Sequence, residues 1–302
     1  MDVMTIVTDR ILADLEKGDI PWRKPWCSVT GAYNRVTERP YSLLNQLLLR
    51  HGGEYATFRQ WTDAGGTIKR GAKSEIIVFW KWPALESDVD LANDENIEAG
   101  DNSGGISDSV DCKHDYPIHK KGPTLKYYRV FHISQVDGVV PKRTEPIFPS
   151  RPIVVAENLL TDYLQRENIR LETELTDTAF YSPDRDLIHI PSITQYPPDR
   201  VAGYYATAFH EAVHSTGHER RLARDGLKQV DFGSATYSRE ELVAEIGSAC
   251  ILQSLGISTE DTVTNTAAYV QGWLSALNRD KRMISFSAVQ ADKAVRLIFN
   301  NL

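Results

Sequence analysis

Residues 204–222 read YYATAFHEAVHSTGHERRL, and the HEAVH at 210–214 decides how the rest of the chain is read. Positions four apart share one face of an α-helix, so His210 and His214 aim two imidazoles at a single point. Glu211, beside them, is placed to take a proton from water at that point without binding the ion itself, which is the chemical sense of an HExxH helix. The helix is predicted from about Asp199 to Gly217, with Phe209 and Val213 as apolar neighbours and the glycine as its stop.

Two imidazoles leave a zinc site one protein ligand short. The metzincin spacing would put a third histidine where Arg220 stands, and His218 is turned aside by a helix ending at Gly217. The next predicted helix, YSREELVAEIGSACILQSLG (237–256), offers carboxylates instead. Ser238 can cap its start, and Glu241 and Glu245 share a face beside Leu242, Val243 and Ile246. Acids buried there need a cation or a histidine partner. Glu241 is therefore assigned as third ligand, and Glu245 as the carboxylate that orients a ligand histidine. Glu240 is the alternative ligand, or else a solvated acid at a helix start. With an open fourth position, zinc lowers the pKa of water to about 7, and Mn2+ is the other divalent candidate. His189 and Tyr237 are each read as a structural residue or as a helper at the developing oxyanion. The strand DLIHIP (186–191) is expected along the cleft edge, where an extended peptide can pair.

Upstream of this site the chain changes character. PKRTEPIFPSRP (141–152), with four prolines, reads as a linker between two domains, 1–140 and 153–302. The first is expected to be a small α/β domain, so the whole is an α+β protein. A helix is expected over the first twenty residues, another over Tyr41 to Arg50, and a third over Thr57 to Ala64. IIVFWKW (76–82) is a strand that can pair with LKYYRVFHISQV (125–136) across an acidic insertion at about 84–122, too poor in apolar side chains to order itself.

The full chain has 302 residues, 41% hydrophobic and 25% charged, as expected of a soluble globular protein. No basic start followed by an apolar run opens it, and no stretch is apolar enough to span a bilayer, so no membrane partner is expected. Cys27, Cys112 and Cys250 are far apart, which suits a reducing cytoplasm. The net charge of −7 hides a basic stretch between Trp22 and Lys81. There PWRKPW (21–26) interleaves Trp22 and Trp26 with Arg23 and Lys24, and Tyr41, Asn45, Arg59, Lys69, Arg70 and Lys73 follow. Single-stranded nucleic acid is held by such cations and by rings on which bases stack. The competing reading is that most of the rings fill a small core, since alternation along IIVFWKW sends Phe79 and Trp80 to opposite faces and buries some of them.

The order of segments resembles the ArdC-type antirestriction proteins of conjugative plasmids over nearly the whole chain. IVTDRILADLEKGDIPWRKPW, PYSLLNQLLL, ATFRQWTDAGGTIKRGAKSEIIVFW and YYRVFHISQVDGV carry the likeness in the first half. AFYSPDRDLIHIP, YYATAFHEAVHSTGHERRL, YSREELVAEIGSA and AAYVQGWLSALNRDKRMI carry it in the second. Ser215 departs from it, standing where an aromatic is expected. The resemblance implies a domain that binds single-stranded DNA, a zincin-like metallopeptidase domain, and a role in shielding incoming plasmid DNA from host restriction. Two functions follow: a zinc-dependent peptidase acting on a peptide or a restriction-enzyme subunit near DNA, or a protective single-strand coat with a structural metal. A primase accessory role has no polymerase motif behind it.

Overall fold

The first helix, α1 (Val3–Leu15), carries Val7, Ile11, Leu12 and Leu15 at helical spacing, and all four are buried. The computed structural model describes residues 2–24, 31–81, 124–143, 151–225, 235–258 and 266–300. The acidic insertion, Trp26 and most of the proline-rich linker lie outside them.

A four-stranded sheet forms the centre of the amino-terminal half. Its strands are β1 (Ala32–Asn34), β2 (Gly53–Ala56), β4 (Glu75–Lys81) and β5 (Thr124–His132), in the order β1-β2-β5-β4. The expected pairing across the insertion is there: β4 and β5 run antiparallel from Glu75 opposite Val130 to Lys81 opposite Thr124. Helix α2 (Leu43–Leu48) lies in this half, as does α3 (Phe58–Asp63), which starts at a reciprocal Thr57–Gln60 cap. A two-stranded ribbon of β3 (Thr67–Ile68) and β6 (Val136–Asp137) completes it.

The carboxy-terminal half begins with α4 (Pro152–Arg166) and a three-stranded sheet of β7 (Arg170–Glu174), β8 (Phe180–Ser182) and β9 (Leu187–Pro191). The order is β7-β9-β8, with β8 and β9 forming an antiparallel hairpin and β7 parallel to β9. The strand DLIHIP is therefore central, not an edge, and cannot take a peptide; β8 has no partner on its outer side among the described residues. Helices α5 (Val201–Thr216), α6 (Ala235–Ser254), α7 (Thr266–Arg279) and α8 (Met283–Ile298) follow, with α6 packed on both α5 and α8. A Cβ added at Gly247 of α6 would lie 3.0 Å from both Val213 methyls on α5, so the glycine permits the close approach that brings acids of α6 to the histidines.

The apolar core does not stop at the linker. Val7, Ile11, Leu15, Trp22, Leu43, Leu44, Leu47 and Leu48 belong to one buried cluster with Phe209, Val243, Ala291 and Val295. Thr8 Oγ1 donates to the Lys281 carbonyl at 2.5 Å, and Gln253 donates to the Arg23 carbonyl at 3.2 Å. Trp22 is 1% exposed and meets Trp273 edge-on at 6.4 Å, so it is no platform for bases. Trp22→Ala is expected to lower stability by about 3–5 kcal/mol in a denaturant titration, because the cavity cannot collapse between two helices.

Candidate metal centre

Helix α5 buries Tyr204, Tyr205, Ala208, Phe209, Ala212 and Val213 along its packed face, which leaves His210 and His214 turned toward α6. Their Nε2 atoms stand 3.1 Å apart. Glu241 of α6 closes the triangle, one carboxylate oxygen 3.5 Å from His210 Nε2 and the other 3.5 Å from His214 Nε2. A tetrahedral ion with metal–nitrogen bonds of about 2.0–2.1 Å needs donors about 3.3 Å apart, so this triad fits one. Among the described residues it is the one group of histidine, cysteine and acidic side chains that gathers so closely. Tyr237, one turn earlier on α6, is hydrogen-bonded to Glu241 and so holds a ligand candidate.

The carboxylate that positions His214 is Glu240, not Glu245. Glu240 is only 5% exposed, and its Oε1 accepts from His214 Nδ1 at 3.3 Å. That bond puts the proton on Nδ1 and turns the Nε2 lone pair to the site. Glu240 also receives Arg224, whose Nε lies 2.9 Å from Oε2. Arg224 is itself buried and donates to Thr216 Oγ1 and the Val213 carbonyl, tying the end of α5 to α6. The expectation of a solvated Glu240 fails because α6 starts at Ala235, a turn before Ser238, so Glu240 faces α5 and not water. Glu245 is partly buried and acts on His210 and on Arg23 through space. Arg224 carries no signal in the sequence: nothing in its neighbourhood marks it as different from other arginines.

The charges of the site call for a cation. Burial alone would lower the pKa of His210, but the bond to Glu241 and the nearby Glu211 and Glu245 outweigh it and raise it to about 9. Burial pushes Glu240 upward, yet His214 and Arg224 hold it down at about 2. Glu241 is also lowered, against its burial, by the two histidines. Glu211 is 7% exposed and has no hydrogen-bond partner among the described residues, which leaves its carboxylate open to accept a proton. Ser215 fills its place by bonding to Tyr163 Oη at 2.9 Å and to the Ala212 carbonyl at 2.7 Å. His189 is buried and stacked on Phe180 at 4.9 Å, and His218 lies outside the triad.

The basic stretch of the amino-terminal half divides into core and surface. Tyr41 and Asn45 are buried, and Asn45 bonds both the N–H and the carbonyl of Val78. Arg23 is half-buried, and Lys24 is anchored to Asp14 at 3.3 Å and to the Leu47 carbonyl. Arg59, Lys69, Arg70 and Lys73 are exposed. The rings most open to solvent are Phe58 at 61%, and Phe79 at 45% and Trp80 at 48% on opposite faces near the end of β4. Some of the rings are buried, as expected, among them Trp22, Tyr33, Tyr41 and Trp61, while Phe79 and Trp80 both reach solvent where the β4–β5 ladder ends. Phe79 leans on Tyr128 and Tyr41, with centroids 6.0 and 6.4 Å away.

Fold and triad together define an HExxH protein of the zincin-like class joined to an amino-terminal α/β domain. Residues 1–131 match a family model described as the N-terminal domain of anti-restriction factor ArdC, and residues 158–290 match one described as a zincin-like metallopeptidase. The chain is similar to the Mn(II)-bound crystal structure of the antirestriction ArdC protein from the R388 plasmid, at 30% identity and a TM-score of 0.70, over 100% of this chain and 98% of that one. It is 30% identical to an uncharacterized protein y4eC of Sinorhizobium fredii (strain NBRC 101917 / NGR234) over 97% of this chain and 90% of that protein. A DNA primase TraC of Escherichia coli is 31% identical over 95% of this chain, but the chain spans only 26% of the primase's length. This chain belongs to the ArdC family of antirestriction proteins. No helix among the described residues is long and apolar enough to cross a membrane.

Proposed function

We propose that this protein binds single-stranded DNA through its amino-terminal half, cleaves peptide bonds at the His210–His214–Glu241 centre, and so protects incoming plasmid DNA from host restriction. The observation that carries the reading is the triad of donors 3.1–3.5 Å apart beside Glu211, a carboxylate without a hydrogen-bond partner among the described residues. Zinc is the proposed ion and Mn2+ its alternative; either supplies a Lewis acid that polarises a carbonyl and acidifies water. His210, His214 and Glu241 would hold it, Glu240 keeps the His214 proton on Nδ1, and Glu211 accepts the proton of the attacking water and returns it to the leaving amine. Substrates in this reading are restriction-enzyme subunits or other peptides near the DNA, in the cytoplasm. Digestion of a fluorogenic peptide library by purified protein, stripped with chelator and reloaded with Zn2+ or Mn2+, tests it; no cleavage under any loading removes the peptidase.

For DNA, the exposed cations Arg59, Lys69, Arg70 and Lys73 track the backbone and Phe79 and Trp80 stack on bases. Affinity of the full chain for oligo-dT is expected to fall with log salt at about 0.7 per phosphate neutralised. Charge reversal at Lys69 and Lys73 should flatten that slope. Phe79→Ala or Trp80→Ala should cost about 1–3 kcal/mol per lost stack and leave the slope alone. A salt-independent affinity sinks the nucleic-acid reading.

A further inference from the structure

At the end of the β7-β9-β8 sheet, where β8 turns into β9, a depression of about 320 Å³ is lined by Arg170, Arg185, Arg220 and His218. Among the described residues none of the three arginines has a carboxylate within 4 Å, although surface arginines elsewhere in this chain, such as Arg59 and Arg296, have one. The acids nearby do not fill the need. Asp186 is taken by Arg221 and by the Tyr181 hydroxyl, which leaves Asp184 as the single unengaged acid of the lining. Two of the guanidiniums are set in place by the turn itself: Arg170 donates to the Arg185 carbonyl at 2.8 Å, and Arg185 Nε to Ser182 Oγ at 3.4 Å. The Arg220 N–H donates to His218 Nδ1 at 3.2 Å, so the other ring nitrogen of His218 bears its proton and is a further donor. The depression thus gathers three guanidiniums and an imidazole N–H against one unengaged carboxylate, Asp184, an excess of donors over acceptors.

We infer that this depression is an anionic subsite of the peptide cleft, and that it selects substrates with a glutamate or aspartate side chain close to the scissile bond. The inference rests on the peptidase reading above. Two features of placement support it. The depression opens where the outer edge of β8 ends, and that edge has no partner among the described residues, so a peptide added to β8 runs into it. His218 also follows the ligand candidate His214 by four residues, its N–H bonded to the Ser215 carbonyl at 3.1 Å in the turn that closes α5. A carboxylate meeting two guanidiniums and an imidazole N–H makes charge-assisted, bidentate bonds, which amide or hydroxyl side chains cannot match. A nucleic-acid phosphate is the weaker occupant, because the lining includes no aromatic ring other than His218 on which a base could stack.

The test uses the full-length, metal-loaded protein and matched fluorogenic peptides carrying Glu or Gln at each position within three residues of the cleaved bond. At one position Glu is expected to raise kcat/KM about tenfold over Gln, the scale of a charge-assisted bond. Arg220→Glu and Arg185→Glu should each abolish that preference while the Gln peptide is cleaved within about twofold of the parent rate. Equal cleavage of Glu and Gln peptides at every position overturns the subsite and leaves the peptidase standing. No cleavage of any peptide by the loaded parent protein overturns the peptidase, and the subsite with it. Loss of oligo-dT affinity in the arginine variants, with peptide preference unchanged, overturns the subsite in favour of a DNA contact.

Discussion

Glu211→Ala is expected to reduce peptide cleavage by about 10²–10⁴-fold, the contribution of a positioned general base. Metal content, measured by elemental analysis, should stay at the parent value, since the donors are His210, His214 and Glu241 and, among the described residues, none of them is hydrogen-bonded to Glu211. The fold should survive as well: among the described residues Glu211 has no hydrogen-bond partner to strand. Oligo-dT affinity should not move, because the exposed cations and rings lie in the other half of the chain. A protein that keeps its metal and DNA binding but loses cleavage then separates the two functions in a conjugation assay into a restricting host. If protection is lost too, proteolysis is the protective act. If protection persists, the protein shields DNA by coating it and the metal is structural. Full cleavage by the alanine variant would remove Glu211 from the chemistry altogether.

The second large effect is expected at Glu240. Glu240→Ala leaves the Arg224 guanidinium, 4% exposed, buried without its anion, and unfolding free energy should fall by about 3–5 kcal/mol. Glu240→Gln preserves the shape and one acceptor, so the protein folds, but His214 is no longer held by a charged partner; affinity for Zn2+ should drop about 10–100-fold in a chelator competition. Glu245→Gln is the control and should change it far less. The acid limb of stability gives a separate readout. The folded carboxyl titrates near 2 and the unfolded one near its ordinary 4.5. Stability from this group is thus fully present above about pH 4.5 and is lost as pH falls toward 2. The Gln variant should lack that part of the acid transition, and an unchanged acid melt would show that Glu240 is not the anion that Arg224 needs.

How much of this could be read from the chain depends on the range of the forces involved. Helix α5 was legible because four-residue spacing, an apolar stripe and a glycine stop are all local. So was the β4–β5 pairing, where two alternating strands flank a segment too polar to join them. The choice between Glu240 and Glu245 was not local. The two nitrogens of His214 point in different directions, and the acid that meets Nδ1 is fixed by how closely α6 approaches α5 at Gly247 and by Arg224 arriving from a loop. Trp22 misleads for the same reason. A tryptophan between prolines and cations looks alike on a DNA-binding surface and in a core, and its partner, Trp273, is far away in sequence. Phe79 and Trp80 point to opposite faces, as alternation requires, and both are open because a strand that reaches the end of its ladder exposes both faces.

The buried seam formed by Val7, Ile11, Leu15 and Trp22 against the last two helices has a bearing on inheritance. A recombination crossover within the proline-rich stretch would leave each product with a bare apolar flank, prone to aggregate before it could be selected. Gene fusions are then expected to acquire or shed this unit whole, and laboratory chimeras that swap one half should carry the facing residues of both.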